Sequence, residues 1–106
     1  LIGKGRAMEL ILSANMINAD RGEKVGLINH ITSKEDLMSF TNDLAKKIST
    51  NSSTAIKASI KCINSNFKDG VNGYLTEINE FSECFQSEDF IEGTSAFIEK
   101  RKAKFK

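Results

Sequence analysis

The chain has 106 residues, room for one domain, and its 40% apolar share with seven glycines lies in the ordinary globular range. Fifteen Lys and Arg stand against 14 Asp and Glu, a net charge of +1 that excludes an obligate nucleic-acid binder. The longest aliphatic run, Leu10-Ile11-Leu12, is far short of the ~20 residues a membrane span needs, and no secretory signal is present. Cys62 and Cys84 form no CxxC pair and, with the single His30, give no zinc site. Two unpaired thiols fit a reducing, cytoplasmic setting.

The chain lacks proline, and its apolar residues recur with helical spacing. Gly3 and Gly5 precede a short helix over Arg6 to Leu12, which Ser13-Ala14-Asn15 breaks. Asn18 caps a second, Ala19 to Val25, closed by Gly26 at C′. Leu27 to Ile31 reads as an extended connector. Thr32 with Glu35 and Ser33 with Asp36 form overlapping capping signatures for a helix that reaches about Thr50 through Leu37, Phe40, Leu44 and Ile48. Ser52 or Ser53 caps the next, whose stripe Ile56, Ile60, Ile63, Phe67 ends at Asp69-Gly70. A third stripe runs from Val71 through Tyr74, Leu75, Ile78 and Phe81 to Phe85. Ser87-Glu88-Asp89 opens the last helix, through Phe90, Ile91, Thr94, Phe97 and Ile98, acidic at its start and basic at its end. The fold class expected is therefore all-α, a compact bundle of about six helices with one short extended connector. The stripes are wide for so small a core, which points to association.

The residues that could carry chemistry have plain readings. Gly3-Lys4-Gly5 lacks the third glycine and the preceding strand of a phosphate loop, so it reads as a turn before a helix. His30 has no nucleophile near it and reads as a partly exposed connector residue. Glu77, Glu80 and Glu83, three apart, read as a solvated helix face rather than as the separated carboxylates of acid–base catalysis. Cys62 and Cys84 read as small core or half-buried side chains. Glu92 and Glu99 with Lys100, Arg101 and Lys102 read as surface charge with some pairing. No active site is formed by these residues alone.

The last helices carry a more specific pattern. Ser87-Glu88-Asp89-Phe90, then Glu92-Gly93, then Ala96-Phe97-Ile98-Glu99-Lys100-Arg101 and Phe105 resemble the C-terminal signature of the enoyl-CoA hydratase/isomerase (crotonase) family. Ala7-Met8-Glu9-Leu10, Ile17-Asn18-Ala19 and Gly26-Leu27-Ile28-Asn29 are similar to that family's preceding helix and connector, so the resemblance spans residues 1–106. It departs where Ser13-Ala14 stands for Thr-Gly, Gly22 for alanine and Ser53 for proline.

The resemblance implies that residues 1–106 are the family's C-terminal helical domain, which builds a trimer or hexamer and covers part of a neighbour's acyl-CoA site. The catalytic glutamates and oxyanion hole would lie in an N-terminal β/α spiral domain upstream of Leu1, in keeping with a first residue that is not Met. No catalytic residue and no metal ligand is then expected here, and no cofactor beyond a coenzyme A thioester acting as substrate. By the same resemblance Phe97 and Lys100 match the aromatic and the lysine that meet the adenine and phosphates of coenzyme A, and their spacing of three places them on one helix face. The plainer reading makes Phe97 core and Lys100 solvated surface. The alternative function is a free-standing helical interaction or oligomerisation module without catalysis.

Overall fold

The computed structural model describes residues 1–105 and contains six helices and, among these residues, no strand. They are α1 (Lys4–Ser13), α2 (Ala19–Lys24), α3 (Leu37–Ser49), α4 (Ser53–Ser65), α5 (Gly73–Cys84) and α6 (Glu88–Ile98). The all-helical class and the number of helices agree with the sequence pattern. The chain divides into two compact units, residues 1–41 and 42–106, with α3 running from one into the other.

Helix starts follow the polar caps. Asn18, Ser52, Asn72 and Ser87 each accept a hydrogen bond from the backbone N–H three residues on, at 2.9–3.1 Å. Ahead of α3 the Ser33 hydroxyl accepts from the Asp36 N–H at 3.0 Å and donates to the Asp36 carboxylate at 2.8 Å. Of the two overlapping signatures, this is the one the structure uses.

In the first unit α2 ends in a Schellman motif. Gly26 lies at C′ with φ +79°, its N–H donates to the Glu23 carbonyl at 2.9 Å, and the Leu27 N–H donates to the Gly22 carbonyl at 2.9 Å. Ile28 then folds back over Gly22, where an added Cβ would meet the Ile28 side chain at an ordinary 3.6 Å. Residues 27–29 form bends, so the extended connector expected over 27–31 is not extended at its start, where the αL residue reverses the chain. Leu10, Ile17 and Val25 line the gap between α1 and α2. His30 is exposed and sets its ring edge-on to Phe40, with centroids 5.0 Å apart.

In the second unit α4 and α5 pack as a helical hairpin. Gly73 opens α5 against Ser65 and Asn66 at the end of α4, and a Cβ at position 73 would lie 3.6–3.7 Å from them. Lys61 of α4 pairs with Glu80 of α5, whose residue is only 8% exposed. Glu80 is therefore not part of a solvated carboxylate face, although Glu77 and Glu83 are exposed. Ser52 ties the start of α4 to α6, donating to the Asp89 carboxylate at 2.6 Å while it caps its own helix.

The self-contained core of a compact bundle is absent. Among the described residues the buried hydrophobic side chains are Val25 and Ala96 alone. Six of the seven phenylalanines, and the whole α3 stripe Leu37, Phe40, Leu44, Ile48, are exposed. Helices of 6 to 13 residues carry about two turns to nearly four of stripe each, more apolar face than this chain has surface to cover.

Ala14 caps α1 with φ +51°, a left-handed conformation costing an L-residue roughly 1–2 kcal/mol. The family pattern has glycine here. Ala14→Gly is expected to stabilise α1 by up to about 1 kcal/mol, read as slower hydrogen exchange of the α1 amides; unchanged or faster exchange would show that the turn is not strained.

Candidate functional site

The residues singled out from sequence lie where α6 ends. Phe97 is in the last turn of α6 and is 86% exposed, so it is no core residue of this chain. Lys100 lies beyond the helix, which stops at Ile98, and so do Arg101, Lys102 and Lys104. Three corrections follow. The last turn of α6 contains no basic residue, the basic cluster belongs to the segment after it, and Phe97 and Lys100 do not share a helix face as their spacing of three suggested.

Their relation is set by a second Schellman motif. The Lys100 N–H donates to the Phe97 carbonyl at 3.3 Å, and the Arg101 N–H donates to the Ala96 carbonyl at 3.0 Å. Lys100 takes the C′ place that Gly26 takes in α2, with φ +53°. A lysine there bears strain that glycine would avoid, of the order of 1–2 kcal/mol.

Charged groups surround this turn in an ordered way. The Arg101 guanidinium donates from Nη1 to Glu92 Oε1 at 2.6 Å and from Nη2 to Glu92 Oε2 at 2.9 Å, a bidentate fork. Its Nε donates to Glu99 at 2.5 Å, and the Lys104 backbone N–H donates to Glu92 at 2.7 Å. Glu92 is half-buried, and Arg101 with the Lys104 N–H holds its carboxyl down at about 2. Glu92 and, to a lesser extent, Glu99 in turn hold the Arg101 guanidinium above its ordinary value. At the end of this segment the Phe105 ring lies against Gly93 in the middle of α6. The nine-residue separation of Glu92 and Arg101 is not a helical spacing, so periodicity could not show the pair.

A second surface feature is the α4–α5 groove, about 470 Å³, lined by Ala55, Ala58, Cys62, Ile63, Phe81 and Cys84 among others. Both cysteines are free and half-buried, and burial raises the Cys62 thiol above its usual value, which makes it a weak nucleophile. Among the described residues no three His, Cys, Asp or Glu side chains gather as a metal site requires, and no helix is long and apolar enough to cross a membrane.

Comparison with known proteins fits this geometry. The Enoyl-CoA hydratase/isomerase family model matches residues 1–106. The chain belongs to that family. It is 38% identical over 103 residues to the short-chain-enoyl-CoA hydratase of Clostridium acetobutylicum, covering 96% of this chain and 40% of that protein. It is 33% identical over 106 residues to the crotonyl-CoA hydratase of Syntrophomonas wolfei, covering 99% of this chain and 41% of the relative. The crystal structure of an enoyl-CoA hydratase from Bacillus anthracis superimposes on all of this chain and on 42% of its own, with a TM-score of 0.89 and 31% identity. The chain thus spans about two fifths of the length of these relatives.

The depressed Glu92 carboxyl fixes a pH dependence. A folded-state value below the ordinary 4.5 means that its contribution is complete above 4.5 and lost as pH falls through about 2. Between these values the turn after α6 is expected to loosen, seen in an NMR titration as loss of the protected Lys104 amide signal and of the Arg101 Nη–H signals, the groups that bond Glu92. Glu92→Gln should abolish that step; a step that survives would assign the titration to another carboxylate.

Proposed function

We propose that the chain is the C-terminal helical domain of an enoyl-CoA hydratase, an enzyme that adds water across the double bond of a 2-enoyl-CoA thioester. The coverage of two fifths of each relative supports this reading, and so does the C-terminal signature from Ser87 to Phe105. In such an enzyme the catalytic glutamates and the oxyanion hole that stabilises the enolate come from the remaining three fifths. The helical domain contributes subunit contacts, as a trimer or hexamer, and one wall of the acyl-CoA site. Apolar faces left open on α3, α4, α5 and α6 favour a chain that is covered by other protein. They equally suit a helical interaction module without catalysis, the second reading.

The observation that carries the assignment of a site is the juxtaposition at the end of α6. Phe97 is an exposed ring, and Lys100 an exposed ammonium, linked by the Lys100 N–H bond to the Phe97 carbonyl. An exposed ring and an exposed cation on one turn suit an adenine and its phosphates, the ring by stacking and the ammonium by charge. Both would act on the nucleotide end of the substrate, far from the reacting carbons, and so bind ground state and transition state alike.

Two measurements test this reading. The 106-residue chain alone should leave crotonyl-CoA unhydrated, at the background rate, since none of its residues matches a family catalytic glutamate; turnover by the pure chain would overturn the domain assignment. In the whole enzyme, Lys100→Glu should raise KM for crotonyl-CoA roughly ten- to hundredfold with little change in kcat. That follows from loss of a charge-assisted contact worth about 1.5–3 kcal/mol. Crotonyl-pantetheine lacks the nucleotide, so the variant should handle it as wild type does. An equal defect with both substrates would place Lys100 in the fold or the subunit contacts instead.

A further inference from the structure

The turn after α6 poses a question that the coenzyme A reading leaves open. Lys100 stands at a left-handed position that glycine fills in α2, yet it is bracketed by two residues, Glu99 and Arg101, joined to each other by an ion pair. Arg101 is also forked onto Glu92, one turn and more back along α6, and its own N–H closes the motif on Ala96. The backbone on both sides of Lys100 is therefore tied to α6 by one guanidinium. The same guanidinium pairs with two carboxylates beside the turn, Glu92 and Glu99. Among the described residues the Lys100 ammonium has no ionic partner.

Those two facts belong together. A lysine meant to meet an external phosphate must be fixed in place and must not be neutralised by its own neighbours. Two carboxylates flank this lysine within eight residues, and a longer flexible ammonium would pair with either of them if Arg101 did not hold both. We infer that Arg101, forked onto Glu92, is a positioning residue that holds Lys100 in the left-handed turn and keeps its ammonium free for the phosphates of coenzyme A. This rests on the assignment of Lys100 to the nucleotide end of the substrate. In this role Arg101 acts through Lys100, since four hydrogen bonds direct its guanidinium to Glu92, Glu99 and the Lys102 carbonyl.

The experiment is a double-mutant cycle in the whole enzyme, with KM and kcat measured on crotonyl-CoA and crotonyl-pantetheine. Lys100→Gly keeps the turn, since glycine suits φ +53°, and removes the side chain with its ammonium. It should raise KM for crotonyl-CoA at least fivefold and leave the pantetheine thioester unaffected. Arg101→Gln should raise KM for crotonyl-CoA to a similar extent, with the same indifference to the pantetheine thioester. In the double variant the two effects should not add, because Arg101 works through Lys100. Glu92→Gln provides a second route to the same loss should Arg101→Gln fold poorly. Additive effects would mean that Arg101 binds on its own account and would overturn the inference. So would a wild-type KM in both Arg101→Gln and Glu92→Gln, or an equal loss with the two substrates, which marks a structural defect. If Lys100→Gly itself leaves KM unchanged, the coenzyme A assignment of Lys100 falls first, and the inference with it. That result is distinct from the others because it needs no Arg101 variant.

Discussion

Six short helices with more apolar face than interior set the terms for everything else in this chain. Burial of two hydrophobic side chains, Val25 and Ala96, cannot offset the entropy of ordering a hundred residues. What local order the chain has rests on hydrogen bonds and ion pairs at its helix ends and on the α4–α5 seam. Ser52 shows how such a contact works in the second unit. Its hydroxyl caps α4 and at the same time donates to Asp89 in the first turn of α6, so one side chain fixes two helix starts. Lys61 and Glu80 do the equivalent between α4 and α5, with Glu80 shielded and Lys61 largely open to solvent.

The parts of this fold that sequence revealed are those decided within a few residues. Asn18, Ser52 and Ser87 cap their helices because a side-chain oxygen needs only the N–H three positions on. Gly26 ends α2 because only a residue without a Cβ takes φ +79° at little cost. Asn72 was hidden by Val71, whose apolar side chain prolongs the α5 stripe backwards, just as Phe67 prolongs that of α4 past its end at Ser65. Periodicity reports which side chains are apolar and does not report where the hydrogen-bond ladder stops.

Glu80 was missed for a different reason, and the pairing expected among Glu92, Glu99 and Arg101 is present although its forked geometry was not legible. Glu80 is one of three glutamates at equal spacing, and nothing in that series marks the one that turns toward Lys61 in another helix. The Arg101–Glu92 pair joins a helix to the segment beyond its end, so its residues lie nine apart, a separation with no meaning on a helix surface. Phe97 and Lys100 are singled out by the family resemblance, while the shared helix face that their spacing suggests does not hold. They are brought together by a turn.

Among the described residues two that are not glycine stand at left-handed positions, and the contrast between them shows what the clamp at the end of α6 accomplishes. Ala14 closes α1 with φ +51° and one backbone bond to Ile11 at 3.3 Å, and the only side-chain support nearby is the Asn15 N–H to Ser13 at 3.4 Å. Lys100, at φ +53°, has both Schellman bonds, the bidentate Arg101–Glu92 pair and the Lys104 N–H on the same carboxylate. Strain of this kind persists where surrounding contacts over-determine it. Glycine would relieve both positions equally, but at Ala14 the side chain lost is a methyl group, and at Lys100 it is a cation that has no ion pair among the described residues. A backbone conformation unfavourable for lysine is retained, by contacts drawn from three other charged residues, at the place where a phosphate-bearing substrate would need a free ammonium.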